Sequence, residues 1–227
     1  MLKGIIRFIF GHKISRLDYP LIVNSYGRSG STVLTKSIIQ DSITVNNSAE
    51  NSLVYRALSQ TAWDLDNVTL QSGVIYKTHD YPPSKYPDNN LKTLYTFAEP
   101  VDVVMSLLRL FDEKGEAWMR EHYKHLKVSY NDNFKEIIHE DQLQLENHLD
   151  RWMKETRVPI AFIRYETMWD YQKEISEFLG INIELPPYQK RKSKNEKYRV
   201  YEEKISNTYH SLIKKVNDME NFIEKNN

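Results

Sequence analysis

The sequence contains no cysteine among its 227 residues. Disulfide bonds, a thiol nucleophile and thiolate metal ligands are therefore excluded. The same absence fits a reducing compartment, and we expect the protein to be cytoplasmic. An excess of charge of one sign is also lacking, because 31 basic residues balance 31 acidic ones. Since no overall field attracts nucleic acid, we expect no nucleic-acid partner, and any anion must be held by a local site.

Long apolar runs are missing as well. No stretch approaches the roughly 20 residues needed to cross a bilayer, so we expect no transmembrane segment. Residues 1–17 begin with a basic and apolar stretch, which lacks the long apolar core and the cleavage site of a signal peptide. One interpretation of this segment is a peripheral membrane contact through a short amphipathic surface. The other is a packed or frayed N-terminal segment.

The sequence does contain an alternation of strand-type and helix-type patterns. Short apolar runs typical of strands occur at Leu21–Asn24, 74–77, 91–97 and Ile160–Arg164. Helical patterns separate them, beginning at Ser31 and Pro100 and covering about 50–62, 116–127, 141–155 and 168–179. This alternation predicts the α/β class, as a three-layer sandwich in which helices cover both faces of a central, mostly parallel sheet.

The tail from residue 196 onward has the pattern of a charged helix. Its apolar side chains lie alternately four and three residues apart, at Ile205, Tyr209, Leu212, Val216, Met219 and Ile223. We therefore predict one domain over residues 1–195 and a C-terminal helix over 196–227, packed on that domain or on a partner chain. The stripe is short for a coiled coil.

The loop between the first strand and the first helix carries two glycines and one cation. Gly27 and Gly30 let the backbone approach a ligand closely, Arg28 supplies a positive charge, and the following helix presents its N-terminus. These features suit an anion, although an ordinary turn between strand and helix has the same composition. The loop is not a Walker A motif, since no Gly-Lys-Ser/Thr triplet follows.

A second candidate segment follows the strand at 74–77. That strand delivers Lys77 and His79 to its carboxyl end, where ligands of open α/β sheets bind. Residues two apart on a strand share a face, so both side chains are expected to point the same way. A histidine beside a cation has its protonated form disfavoured, which suits a general base near neutral pH. The alternative is a hydrogen-bonded surface histidine next to a loop.

Three further segments complete the pattern. Ser106 lies in the second turn of the helix that Pro100 begins, with Arg109 three residues on. Residues 164–166 close the last predicted strand. Arg191 and Lys192 belong to a basic segment, which by itself also fits a solvated charged loop.

In order and spacing, these segments resemble the sulfotransferase family that uses 3′-phosphoadenosine 5′-phosphosulfate. The resemblance extends from about residue 21 to residue 193. The run Gly27-Arg28-Ser29-Gly30-Ser31-Thr32 is similar to that family's 5′-phosphosulfate loop, and Lys77-Thr78-His79 to its Lys-Thr-His, in which the histidine is the catalytic base. Pro100, Asp102 and Ser106 resemble its 3′-phosphate segment, and Arg191-Lys192-Ser193 resembles its late Arg-Lys-Gly.

The resemblance implies a P-loop NTPase-like sulfotransferase architecture. It also implies transfer of a sulfuryl group from 3′-phosphoadenosine 5′-phosphosulfate to an acceptor hydroxyl on a carbohydrate or small molecule, without a metal. The catalytic residues implied are His79, Lys77 and Arg28. The donor-binding residues implied are Arg28, Ser29, Gly30, Ser31, Thr32, Ser106, Arg109, Arg191 and Lys192.

The sequence departs from the family pattern at one end of the expected donor site. Ala98 stands where the family has an arginine, and Glu99 adds a negative charge beside it. Arg109 or Lys192 is expected to supply the missing cation. Two alternatives remain open: a P-loop nucleotide kinase or NTPase, with residues 94–99 as a Walker-B-like strand, and a non-catalytic sulfotransferase-like binding protein that has lost its donor site.

Overall fold

The computed structural model describes residues 15–43, 53–86, 90–130, 133–188 and 196–225. These ranges contain one six-stranded sheet and eight α-helices. The strands are β1 (Leu21–Asn24), β2 (Ser59–Thr61), β3 (Ile75–Lys77), β4 (Lys92–Phe97), β5 (Ile160–Arg164) and β6 (Phe222–Lys225). The helices are α1 (Ser31–Ser42), α2 (Leu53–Leu58), α3 (Pro100–Lys114), α4 (Glu116–His125), α5 (Leu145–Met153), α6 (Gln172–Leu179), α7 (Glu202–Thr208) and α8 (His210–Asp218). Short 3₁₀ segments cover Phe134–Ile138, Tyr165–Tyr171 and Glu196–Tyr201.

The sheet has the order β2-β3-β1-β4-β5-β6, and its first five strands in the chain run parallel. β1 is central, and its residue Val23 lies opposite Lys77 of β3 and Leu94 of β4. The carboxyl ends of β1, β3 and β4 therefore meet at one edge of the sheet. The predicted α/β class with a mostly parallel central sheet is confirmed.

Side chains of the strands alternate between the two faces of the sheet, and both faces are buried. On one face Ile22, Tyr76 and Tyr95 pack with α3, α4, α5, α7 and α8. On the other face Val23 and Ile75 pack with α1 and α6. Burial on both faces explains why these strands read as continuous apolar runs instead of alternating ones.

Helix α3 shows how local sequence sets an element next to the site. Pro100 occupies its first turn, where the amide hydrogen that proline lacks would have no helical acceptor. Gly115 ends the helix with φ 77° and donates its N–H to the carbonyl of Phe111 at 2.8 Å. Between these ends, Ser106 is held almost fully buried beneath the loop that follows β1.

The prediction of a single helix over 50–62 is wrong at its C-terminal end. The helix stops at Leu58, and residues Ser59–Thr61 form β2, with Ser59 opposite Ile75 and Thr61 opposite Lys77. A six-residue helix gains little from its own hydrogen bonds, whereas the exposed edge of β3 offers a ladder of backbone partners. The long-range pairing therefore overrides the local helical pattern.

The prediction of one continuous helix in the tail is also wrong. The described part of the tail contains a 3₁₀ segment, α7, α8 and then β6, which pairs antiparallel with β5. Ile205, Tyr209, Leu212 and Val216 are buried in the same core as α3, α4 and α5, so this part of the predicted stripe packs on the rest of the chain. α8 ends at Asp218, and the extended backbone of the next residue, Met219, leads the chain into β6, which covers the edge of β5.

No helix within the described ranges combines the length and apolar character needed to cross a bilayer. Residues 1–14, which include most of the segment considered for membrane contact, lie outside those ranges.

Candidate functional site

A cavity of about 420 Å³ opens where β1 and β3 end. This is the edge at which the connections from neighbouring strands leave in opposite directions, and where open α/β sheets bind their ligands. The cavity is lined by Arg28, Gly30, Ser31, Thr32, Val33, Trp63, Lys77, His79, Trp118, Glu121, His122, His125 and Tyr165.

The loop after β1 needs glycine at two positions. Gly27 and Gly30 have φ values of 93° and 82°, in the left-handed region. A Cβ on Gly30 would lie 2.0 Å from Cδ2 of Tyr165, and one on Gly27 would lie 2.7 Å from Cε1 of His122. The loop can therefore lie against both rings only without side chains at these positions.

Arg28 occupies the same loop in an unusual conformation. Its φ of 59° is also left-handed, which for a residue with a Cβ costs on the order of 1 kcal/mol. Its Nε donates a hydrogen bond to Oγ of Ser106 at 2.9 Å. Ser106 thus lies under the loop and contacts the cation directly, which brings the first and third predicted segments together.

The start of α1 faces the cavity through two of its predicted residues. Ser31 and Thr32 line the cavity, and Gly30 precedes them without providing a side-chain cap. The first amides of a helix have no acceptor within the helix, so this end favours negative charge. Ser29 points the other way, because its Oγ donates to the carbonyl of Thr96 at 2.9 Å inside the sheet.

Lys77 reaches the start of α1 from the end of β3. Its Nζ donates to Oγ1 of Thr32 at 2.6 Å. Burial lowers the pKa of Lys77, and the charges of Arg28 and Lys36 lower it further. Cations that repel one another in this way are stabilised when an anion binds between them.

His79 lies at the back of the cavity in a defined orientation. Its Nδ1 is 2.7 Å from the backbone carbonyl of Ser25 and 3.2 Å from Oγ of the same residue. A carbonyl only accepts, so Nδ1 carries the proton and Nε2 has the lone pair. Burial holds the pKa of His79 well below its usual value, with the neighbouring His122 and Lys77 acting in the same direction. The ring is therefore neutral at pH 7.

A buried network holds the backbone of His79 in place. Nε2 of His148 donates to the His79 carbonyl at 3.0 Å, and the hydroxyl of Tyr95 donates to Nδ1 of His148 at 2.8 Å. The next residue, Asp80, pairs through its carboxylate with Lys127 at 2.9 Å. These contacts leave the candidate base little freedom to move.

Another part of the cavity lining consists of rings, mostly from α4. Trp118, His122 and His125 recur at helical spacing and face the cavity. The Trp118 ring stacks on His122 with centroids 5.2 Å apart, and Trp63 stacks on His125 at 3.7 Å. We call these four residues the aromatic wall, and the two cations Arg28 and Lys77, together with the neutral His79 beside them, the cationic wall.

Sequence reasoning missed the histidines of the aromatic wall. The available signal was the spacing of Trp118, His122 and His125 on one face of a polar helix. His122 is 5% exposed, and its Nε2 has no hydrogen-bond partner among the described residues. Burial lowers the pKa of His122 to about 3, and the charges of His125 and Arg28 contribute.

At the end of the predicted donor site near Glu99, the charged side chains pair with one another and not with the cavity. Glu99 pairs with Arg164 at 3.3 Å, and Arg164 also contacts Glu166 at 3.4 Å. Burial raises the pKa of Glu99, while Arg164 opposes that shift. Arg109 pairs with Glu113 at 2.9 Å and does not line the cavity.

Arg191 and Lys192, both predicted to bind the donor, lie outside the described residues. Within the described ranges, no group of three or more side chains is arranged to hold a metal ion. Comparison with known proteins adds no relative: neither the established protein-family models nor the curated protein sequences contain a match to this chain.

Proposed function

We propose that this protein transfers a sulfuryl group from 3′-phosphoadenosine 5′-phosphosulfate to a hydroxyl of a carbohydrate or small-molecule acceptor. One observation carries the proposal: a neutral histidine with Nδ1 protonated shares a single cavity with Arg28, Lys77 and a glycine loop at a helix N-terminus. We further propose that the sheet and this loop form the P-loop NTPase-like architecture of sulfotransferases.

The residues around the loop suit the phosphosulfate end of such a donor. A Cβ at Gly27 or Gly30 would clash with the ring beside it, and Gly30 lines the cavity next to the first residues of α1. Arg28, Lys77 and the first amides of α1 would hold the phosphate and sulfate oxygens. The mutual repulsion of the two cations would be relieved by that charge.

The same residues can perform the chemistry of in-line transfer. Nε2 of His79 accepts the proton of the acceptor hydroxyl as the acceptor oxygen bonds to sulfur, and the bond from sulfur to the bridging phosphate oxygen breaks. Arg28 and Lys77 stabilise the negative charge that develops on that bridging oxygen. The transition state of such transfers is loose, so positioning and charge account for most of the rate.

The pairing of Glu99 bears on the 3′-phosphate of the donor. Because Arg164 pairs with Glu99 as well as with Glu166, it reduces the repulsion between the Glu99 carboxylate and a phosphate bound nearby. Ser106, together with Arg191 and Lys192, would then bind the 3′-phosphate. Arg109 would take part only by leaving Glu113.

The kinase alternative receives less support. Its acidic residue would be Glu99, which pairs with Arg164 and does not line the cavity. In addition, the lysine that contacts the first turn of the helix, Lys77, lies at the end of a neighbouring strand, whereas the lysine of a Walker A motif belongs to the loop itself.

Calorimetry with 3′-phosphoadenosine 5′-phosphate, run beside ATP with magnesium, tests the donor. We expect the former to bind. Binding of ATP with magnesium alone would instead favour a kinase, and binding of neither would rule out the proposed donor and leave the non-catalytic alternative open.

Transfer of labelled sulfate to a panel of sugars and phenols tests the reaction. His79→Ala should lower turnover by about 10²–10⁴-fold, with donor affinity changed less than about twofold. His210→Ala, on an exposed position of α8, serves as the control. Full activity of His79→Ala would show that another group is the base.

A further inference from the structure

We infer that His122 is a further ligand of the anion site, donating a hydrogen bond from Nε2 to an oxygen of the phosphate or sulfate group bound over residues 27–30. This inference rests on the proposed function only in taking the loop as the place where the anion binds.

The loop and His122 are fitted to each other. The loop-facing edge of the imidazole, formed by Cε1 and Nε2, lies 2.7 and 3.1 Å from the point where a Gly27 Cβ would stand. No larger residue at position 27 could coexist with this ring. The missing side chain therefore brings a polar edge of α4 directly against the anion-binding backbone.

The Nε2 atom of His122 is buried without a partner among the described residues. Polar atoms in this situation are uncommon in folded proteins, because an unmade hydrogen bond is not compensated by water. The ring is held between Trp118, stacked at 5.2 Å, and His79, whose ring stands edge-on at 5.7 Å. An anion in the loop is the one ligand already implied nearby that would supply the missing acceptor.

The charges around the ring favour an anionic partner. Arg28 precedes the glycine that caps α1, and Lys77 contacts the first turn of that helix. The low pKa of His122 keeps the imidazole neutral, so Nε2 can act as an N–H donor without adding a third positive charge beside Arg28 and Lys77. This arrangement recognises the oxygen geometry of phosphate or sulfate in addition to its charge.

Two substitutions separate the hydrogen bond from the packing of the ring. His122→Phe keeps a ring against Trp118 but removes both nitrogens, and His122→Gln keeps an N–H donor near the position of Nε2. His125→Phe is the matched control, because His125 is on the same helix and lines the same cavity. Affinity is measured by calorimetry with 3′-phosphoadenosine 5′-phosphate and with inorganic pyrophosphate.

We expect His122→Phe to weaken binding of both anions by about tenfold, the effect of one lost hydrogen bond. His122→Gln and His125→Phe should change affinity by less than about threefold. Unchanged affinity of His122→Phe for both anions would overturn the inference. Should His122→Phe fail to fold, ¹⁵N-histidine NMR of the unmutated chain provides the test. Pyrophosphate must then shift the His122 Nε2 resonance, and the absence of a shift overturns the inference.

The two probes distinguish this inference from the proposed function. If pyrophosphate binds in a His122-dependent manner while 3′-phosphoadenosine 5′-phosphate does not bind, His122 remains an anion ligand and the proposed donor is wrong. If the unmutated chain binds neither anion, both proposals fall.

Discussion

The cationic wall stands at the ends of strands and in the loop after β1, whereas the aromatic wall stands mainly on one helix. β3 is fixed by backbone pairing with β1 on one side and β2 on the other. Lys77 at its end, and His79 two residues later, are therefore held in place. The aromatic wall is held by ring stacking between α4 and the segment after β2. Fixed charge and the edge of His122 therefore face the position proposed for the anion, while the other rings of the aromatic wall face the remaining space, which suits a neutral acceptor.

The largest expected effect breaks the cationic wall at its backbone. Gly30→Ala places a Cβ 2.0 Å from Tyr165 in a left-handed conformation, so the loop must move away from the ring. We expect affinity for 3′-phosphoadenosine 5′-phosphate to fall by at least about 100-fold. Calorimetry measures the loss of affinity, and urea unfolding measures any loss of stability.

Gly180→Ala is the control for backbone strain alone. Gly180 also has a left-handed φ, 68°, but nothing lies within 4 Å of an added Cβ. It should cost about 1–2 kcal/mol of stability and leave anion binding intact. Equal binding by Gly30→Ala and Gly180→Ala would show that the loop does not hold the anion.

The second effect removes charge from the cationic wall without changing its backbone. Arg28→Ala should weaken binding of 3′-phosphoadenosine 5′-phosphate by about 10–30-fold and reduce its dependence on salt. Arg120→Ala removes an arginine that pairs with Glu116 on the outside of α4 and should have no effect beyond about twofold. A titration in 50 and 300 mM salt compares the two variants, and equal losses would contradict a local anion site.

The third effect concerns the histidines of both walls and of the anchoring network. The pKa values of His79, His122 and His148 are all lowered by burial, to about 3 for His122 and about 4 for His148. The unfolded chain binds protons to these rings near pH 6.5, whereas the folded chain does not. Their stabilising effect is therefore complete above pH 6.5 and is lost as the pH falls toward 4.

Urea unfolding between pH 7 and pH 4.5 measures this loss. Each histidine should contribute about 1.4 kcal/mol per pH unit to the slope of the unfolding free energy. His122→Phe should reduce that slope by one such contribution. A stability that stays flat across this range would mean that the rings are accessible to protons in the fold.

The smallest effect concerns Trp63, a ring of the aromatic wall that is not proposed to contact the anion. Trp63→Ala removes an indole that stacks on His125 and whose ring centroid lies 5.5 Å from that of His79. Affinity for 3′-phosphoadenosine 5′-phosphate should change by less than about twofold. Calorimetry checks this, and a loss as large as that of Arg28→Ala would show that Trp63 also contributes to binding of the anion.

The cationic wall was predictable because its information is local. A glycine-containing loop before a helix, and a lysine and a histidine two residues apart at a strand end, can be placed by the rules for strands and open sheets alone. The role of His122 could not be predicted in this way. Its significance depends on contact with Gly27, a distant residue in the chain, and on the lack of any other partner for Nε2.

The same distinction applies to the fold. β1, β4 and β5 follow from their apolar runs, and α3 from its proline and its apolar face. β2 and β6 have no comparable signal, since Ile223 continues a helical stripe and residues 59–61 are polar. Both segments become strands because β3 and β5 have open edges, which only the assembled sheet reveals.

The pairing of β6 with β5 also sets the order in which the sheet can be completed. β5 is synthesised well before β6, and until residues 222–225 arrive its backbone edge is open along an apolar strand. An open edge of this kind is a template for pairing with another chain. A nascent or proteolytically shortened protein that lacks these residues should therefore aggregate through β5, and a peptide carrying the β6 sequence should suppress that aggregation when added in trans.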